Sequence, residues 1–181
     1  GGNWNGHLRR NTFDNCRASS TDGDAFGAGL YAGGDFTGAD LSGNLFTECS
    51  VTGSTRNSVG GGLFVAGALT IPFIGNRFEA NTAELRGAGA YIGGVAIGTI
   101  ESNDFINNIL ANTVARNFAG AGLCIADGLL GDVVSNRFFG NSAQMFSFGN
   151  GLFASNGAGM FIGGTFDGGF GANEFVANRA T

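Results

Sequence analysis

The chain has 181 residues, 35 of them Gly and 18 Phe, against two Tyr, one Trp and one Pro. A formal net charge of −5 with 43% apolar residues excludes both a disordered chain and a basic nucleic-acid binder. Strict every-third Gly is lacking, which excludes a collagen, and no apolar run approaches the roughly 20 residues of a membrane-spanning helix.

In chain order, two motifs alternate. The chain opens on Gly1-Gly2-Asn3-Trp4, which aligns with Gly93-Gly94-Val95-Ala96 and Gly163-Gly164-Thr165-Phe166. Asn11-Thr12-Phe13 follows, then Cys16 and Ala18, then Asp22-Gly-Asp24, then Gly27-Ala-Gly29-Leu30-Tyr31. The pattern returns as Asn44-Leu45-Phe46 with Cys49 and Val51, then Gly60 to Phe64. It returns again as Asn76-Arg77-Phe78 with Asn81 and Ala83, then Gly87 to Tyr91. Next come Asn103-Asp104-Phe105 with Asn108 and Leu110, then Gly120 to Cys124. The fifth copy is Asn136-Arg137-Phe138 with Asn141 and Ala143, followed by Gly157 to Phe161. The sixth is Asn173-Glu174-Phe175 with Asn178 and Ala180. The Asn-x-Phe copies are 33, 32, 27, 33 and 37 residues apart.

One arc of this repeat is fixed in length and the other varies. From the aromatic position to the next Asn takes 13, 12, 12, 12 and 12 residues. From the Cys or Asn after Phe to the next Gly-x-Gly takes 11, 11, 6, 12 and 16. Variable arcs map to loops on one face of a repeat protein. Gly, Asn, Phe and Thr are poor helix formers, and the local pattern has period 2: Val95, Ile97 and Thr99 alternate with Ala96, Gly98 and Ile100. Two or three short strands per unit of 27–37 residues predict an all-β single domain over 1–181: a parallel β-helix of about five and a half coils.

Coils stacked at roughly 4.8 Å turn equivalent residues into columns. Phe13, Phe46, Phe78, Phe105, Phe138 and Phe175 then form an internal ring stack. Asn11, Asn44, Asn76, Asn103, Asn136 and Asn173 form an amide ladder and, by tolerating the left-handed backbone region, turn the chain. The Gly-x-Gly positions admit special backbone angles or close coil approach. Cys16 and Cys49 share a column on adjacent coils, inside the distance window of a disulfide, and a Cys16–Cys49 bridge is expected; the alternative is two buried free thiols.

The alternation of Phe-x-x-Asn (Phe78 to Asn81, Phe105 to Asn108, Phe138 to Asn141, Phe175 to Asn178) with Gly-x-Gly, an apolar residue and an aromatic resembles the repeats of polymorphic outer-membrane-protein passenger domains. More generally it is similar to right-handed parallel β-helix proteins of the pectate-lyase-like class. The resemblance spans nearly the whole chain and implies the right hand of the coil. It implies no activity, because that class includes lyases, hydrolases, adhesins and structural fibres. Cys16 and Cys49 depart from the Asn of the pattern, and Gly-Ala-Gly mostly replaces Gly-Gly-Ala.

Candidates for chemistry are few. His7 is the only His and reads as a solvated turn residue; no Lys is present, which excludes a Lys-bearing phosphate loop. A zinc site lacks ligands, and Asp22 with Asp24 could take Ca²⁺ but reads more simply as an exposed turn. Asp14, Glu79, Asp104 and Glu174 are scattered beside the Phe column, and Arg77, Asp104 and Arg137 predict an alternating outer charge column. No catalytic residue, metal or cofactor is expected.

The repeat begins mid-coil and stops before the next Gly-x-Gly strand, with no polar cap at either end. Either the sequence is a piece of a longer chain or subunits stack head to tail. A spare strand motif, Gly149-Asn150-Gly151-Leu152-Phe153, lies in the longest arc beside Met145, Phe146 and Phe148. Met145, Phe146, Phe148, Leu152, Phe153 and Trp4 are therefore the expected subunit interface; the alternative is a long loop packed on its own coil. The expected function is an extracellular or cell-surface structural solenoid, a homopolymer with surface glycans as further partners. A carbohydrate-active enzyme and an adhesin segment are the rivals.

Overall fold

The Asn-x-Phe triplets fold as one wall of the molecule, seen in a computed structural model that describes residues 2–53, 58–112, 118–145 and 155–180. Thr12–Asp14, Leu45–Thr47, Arg77–Glu79, Asp104–Ile106, Arg137–Phe139 and Glu174–Val176 form a six-stranded parallel sheet. Its register places Phe13, Phe46, Phe78, Phe105, Phe138 and Phe175 opposite one another in succession. Their rings lie 4.6, 4.7, 5.0, 4.9 and 4.6 Å apart and within 7° of parallel. The backbone spacing of parallel strands dictates that ring separation. Each fully buried ring contributes roughly 1.5–3 kcal/mol.

Each full coil supplies at least four strands where the sequence predicts two or three. Preceding the Phe wall is a six-stranded sheet that includes His7–Arg9, Asp40–Ser42 and Phe73–Ile74. Following it is a third, from Arg17–Ser20 to Arg179–Ala180. After the variable arc comes a five-stranded sheet of Leu30–Ala32, Leu63–Val65, Ala90–Ile92, Leu123–Ile125 and Met160–Ile162. All named pairings are parallel, each closed by one full coil, and no helix occurs among the described residues. This is a single-domain parallel β-solenoid of about five turns. Its main core runs between the Phe wall, the first sheet and the five-stranded sheet. A smaller cluster, including Val51, Ala83, Leu85 and Leu110, lies under the arcs.

Two corners flank the Phe wall, and each is held by side-chain amides. At the first, Asn103 donates from Nδ2 to the Phe73 carbonyl (2.7 Å) and to Asn136 Oδ1 (2.9 Å). Its own Oδ1 accepts the Asn76 N–H (2.8 Å) and Nδ2 (3.1 Å). The same arrangement runs from Asn11 through Asn44, Asn76, Asn103 and Asn136 to Asn173. A second ladder, beyond the Phe wall, links Asn81, Asn108, Asn141 and Asn178.

The ladder asparagines do not themselves adopt the left-handed backbone expected of them. The residue before each does: Arg10, Gly43, Gly75, Ser102, Ser135 and Ala172 at the first corner, with φ between 53 and 63°. At the second corner it is Asn15, Glu48, Ala80, Asn107, Gly140 and Ala177. The strained residue makes the turn, and the Asn after it points inward to satisfy the polar groups that the turn exposes. The two glycines of Gly-x-Gly also divide their work. Gly60 has φ 69°, while a Cβ on Gly62 would lie 2.6 Å from the Gly89 carbonyl of the next coil.

The expected Cys16–Cys49 bridge is not formed; both are free thiols. Both cysteines sit at the corner after the Phe wall, outside the strands, and each thiol lies against backbone carbonyl oxygens. Cys49 Sγ lies 3.4 Å from the Phe13 carbonyl, the bond that Asn81 Nδ2 makes to Phe46 at 2.9 Å. Cys16 Sγ lies 3.7 Å from the Asp14 carbonyl. Burial pushes the Cys49 thiol up to about 12; the Cys16 N–H opposes that shift and the Cys16 thiol adds to it.

Candidate functional site

Differences in arc length leave a groove on the flank of the solenoid. The third coil has the shortest variable arc, six residues from Asn81 to Gly87, of which Leu85 and Arg86 close the turn. Beside it opens a groove of about 320 Å³ between the arcs and the outer face of the five-stranded sheet. Asp24 and Phe26 line it from the first coil, Val59, Phe64 and Ala66 from the second, and Leu85, Arg86, Tyr91 and Gly93 from the third.

The aromatic wall follows from the Gly-x-Gly motif, whose fifth position points out of the sheet. Tyr31, Phe64 and Tyr91 are in register. Their rings stack at 5.2 and 5.3 Å, 3° and 11° from parallel. Both faces of Phe64 are therefore covered along the axis, and its free boundary is the ring edge. Phe26 leans over this stack, 4.9 Å from Phe64 at 38°. In the fourth coil the column breaks: the equivalent residue is Cys124, fully buried.

Arg86 reaches the broken end of the stack. Burial pushes the Tyr91 hydroxyl up, with Cys124 adding to the effect, while the charge of Arg86 and its hydrogen bond to Tyr91 oppose it. Burial likewise pushes the Cys124 thiol up to about 12 against the pull of Arg86. Arg86 Nε is buried and finds no hydrogen-bond partner among the described residues. Leaving such a donor unsatisfied costs about 1–3 kcal/mol, more when the group is charged.

The residues singled out from sequence lie elsewhere. The Asn and Phe column residues of the middle coils are buried structure, and Asn11 and Phe175 at the two ends are exposed. The outer charge column is present: Asp104 bridges Arg77 (3.3 Å) and Arg137 (3.0 Å), and Glu79 also pairs with Arg77 (2.9 Å). His7 sits in the strand His7–Arg9 and not in a turn. Its Nδ1 is 3.3 Å from Asp40, which Arg9 also engages. Desolvation pushes the Asp40 carboxyl up, but the hydrogen bonds from Arg9 and His7 outweigh it and hold the group below its ordinary range. Asp22 accepts from the Thr21 hydroxyl (3.3 Å) and Asp24 lines the groove. No three His, Cys, Asp or Glu among the described residues gather around a metal position.

Of the expected interface, Trp4 stacks at 5.5 Å on Phe36 of the next coil, with a buried Nε1 lacking a partner among the described residues. Met145 ends the strand Ser142–Met145, and Phe146, Phe148, Leu152 and Phe153 lie outside the described residues. The sequence reading missed Arg86 and the groove, although the shortest arc and the Cys in an aromatic column were both visible signals.

Stacked parallel sheets, paired corner ladders and an internal ring column define the class of the parallel β-solenoids. Within it, the family model of the right-handed β-helix region matches residues 5–166, and the chain belongs to that family. No curated protein and no solved structure matches it.

Proposed function

We propose that the protein is a structural β-solenoid, located outside the cell or at its surface, that extends by head-to-tail stacking. The direction of the ladders carries this reading. Each ladder Asn before the last gives its N–H and Nδ2 to the Oδ1 of the following coil, as Asn136 does to Asn173 at 2.9 Å in both bonds. A second copy placed in register on the last coil would bring Asn11 Oδ1 over the Asn173 donors. Such a contact is heterologous and does not close, so repetition gives a fibre.

Glu79 and Asp104 are each engaged by arginine, which favours a structural role over acid–base work on a polysaccharide. Negative-stain microscopy and sedimentation of the native protein test the proposal. Fibres one solenoid wide that lengthen with concentration, and that Phe175→Asp abolishes, are expected. A monomer at every concentration overturns it. Reducing-sugar release from acidic polysaccharides would favour the carbohydrate-active rival, and glycan-array binding without turnover the adhesin. Antibody labelling of unpermeabilised cells tests the location.

A further inference from the structure

We propose that the groove beside the third coil binds a small aryl carboxylate, with Arg86 taking the carboxylate and the aromatic wall taking the ring. Such binding does not depend on filament growth. Three observations combine to specify the ligand.

The first is size. A groove of about 320 Å³ stands at the lower end of the roughly 300–1,000 Å³ typical of ligand sites, which suits a single ring. The second is the orientation of the wall. Phe64 is sandwiched between Tyr31 and Tyr91 at 5.2 and 5.3 Å, so it offers the groove an edge and no face. Ring edges carry the positive part of the aromatic quadrupole and attract either the negative face of another ring or an anionic group. A sugar, which stacks its C–H face on an open aromatic face, meets no such surface on Phe64. The third is charge. Arg86 lines the groove and its guanidinium is cationic at any working pH. A carboxylate can take two terminal N–H groups as a planar fork, a geometry that a neutral amide or an alcohol does not match.

Isothermal titration of the full chain with benzoate, benzamide and galacturonate tests the assignment. Saturable benzoate binding is expected, with benzamide at least about 10-fold weaker. Arg86→Met should weaken benzoate at least about 10-fold, and Arg86→Lys by less, because lysine keeps the charge and loses the fork. Ala66→Phe, which fills the groove from another wall and leaves Arg86 in place, should abolish binding. That variant keeps the test decisive if Arg86→Met folds poorly. Absence of saturable benzoate binding, equal affinity for benzamide, tighter binding of galacturonate, or benzoate binding unchanged in Ala66→Phe would each overturn the proposal.

Discussion

The two corners that flank the Phe wall solve the same problem with different side chains. The first is held by six asparagines without interruption, from Asn11 to Asn173. The second has four, preceded by Cys49 and Cys16 in the first two coils. An amide captures a carbonyl on one side and offers an oxygen on the other. A thiol manages the first task, as Cys49 does at the Phe13 carbonyl, and the second only weakly, since sulfur is a poor acceptor for the Cys16 N–H. The contrast separates what the turn demands, a donor to the preceding coil, from what strengthens the stack, an acceptor for the neighbouring N–H.

The largest expected effect breaks a ladder in its middle. Asn108→Ala removes four bonds: two to the Phe78 carbonyl and Asn141, and two accepted from Asn81. With buried polar groups left unsatisfied at about 1–3 kcal/mol each, a loss of at least ~3 kcal/mol in chemical denaturation is expected. Asn103→Ala at the first corner should match it. Asn11→Ala, exposed at the end of its ladder, should cost under about 1 kcal/mol. Equal losses at Asn11 and Asn108 would mean that ladder bonding is not what holds the corners.

Next in size is alkaline instability, centred on the thiol corner. The folded pKa of Cys49 is raised to about 12. Its contribution to stability is therefore complete below the ordinary thiol value near 9 and is lost as pH rises toward 12. Melting temperature should fall across that window, and less steeply in Cys49→Asn. Cys124 and Tyr91, raised in the same direction, leave a residual fall that Cys124→Ala should reduce. A pH profile unchanged in both variants would show that neither thiol titrates with folding.

At neutral pH, Cys49→Asn should stabilise the protein by about 0.5–1.5 kcal/mol, because it gives the Cys16 N–H an amide oxygen and extends the second ladder by one coil. Destabilisation would show that the sulfur pair is worth more in packing than an amide gains in hydrogen bonds. The smallest effect concerns the turn residues themselves. Ala80 holds φ 54° where Gly140 occupies the equivalent turn two coils on. Ala80→Gly relieves that strain and loses some unfolded-state advantage, for a net gain of about a few tenths of a kcal/mol in thermal melting.

Most of the fold was legible because the repeat prints one coil after another. Six Asn-x-Phe triplets fix the ring column, and a constant arc of 12 or 13 residues fixes the path from one aromatic to the next Asn. The strained turn positions were not legible, since Arg10, Glu48, Ala80 and Ser135 carry no preference for positive φ. Their conformation is imposed by the ladder residue that follows. The fourth strand of each coil escaped notice because strands of two or three residues, such as Phe73–Ile74, leave almost no alternation to read. The groove escaped for a different reason: it is lined by residues as far apart as Asp24 and Gly93, which share no motif.

By itself, then, the sequence determined that equivalent residues stack, that Phe lies inside and that Asn bonds to Asn, because a periodic chain leaves one economical way to bury its apolar positions and pair its amides. Tertiary structure alone decided that Cys16 and Cys49 stand side by side unbridged, that the left-handed residues precede the ladders, and that Arg86 shares a groove with Phe64. Those outcomes depend on the distance and orientation between neighbouring coils, which no residue encodes singly and which only the closed stack sets.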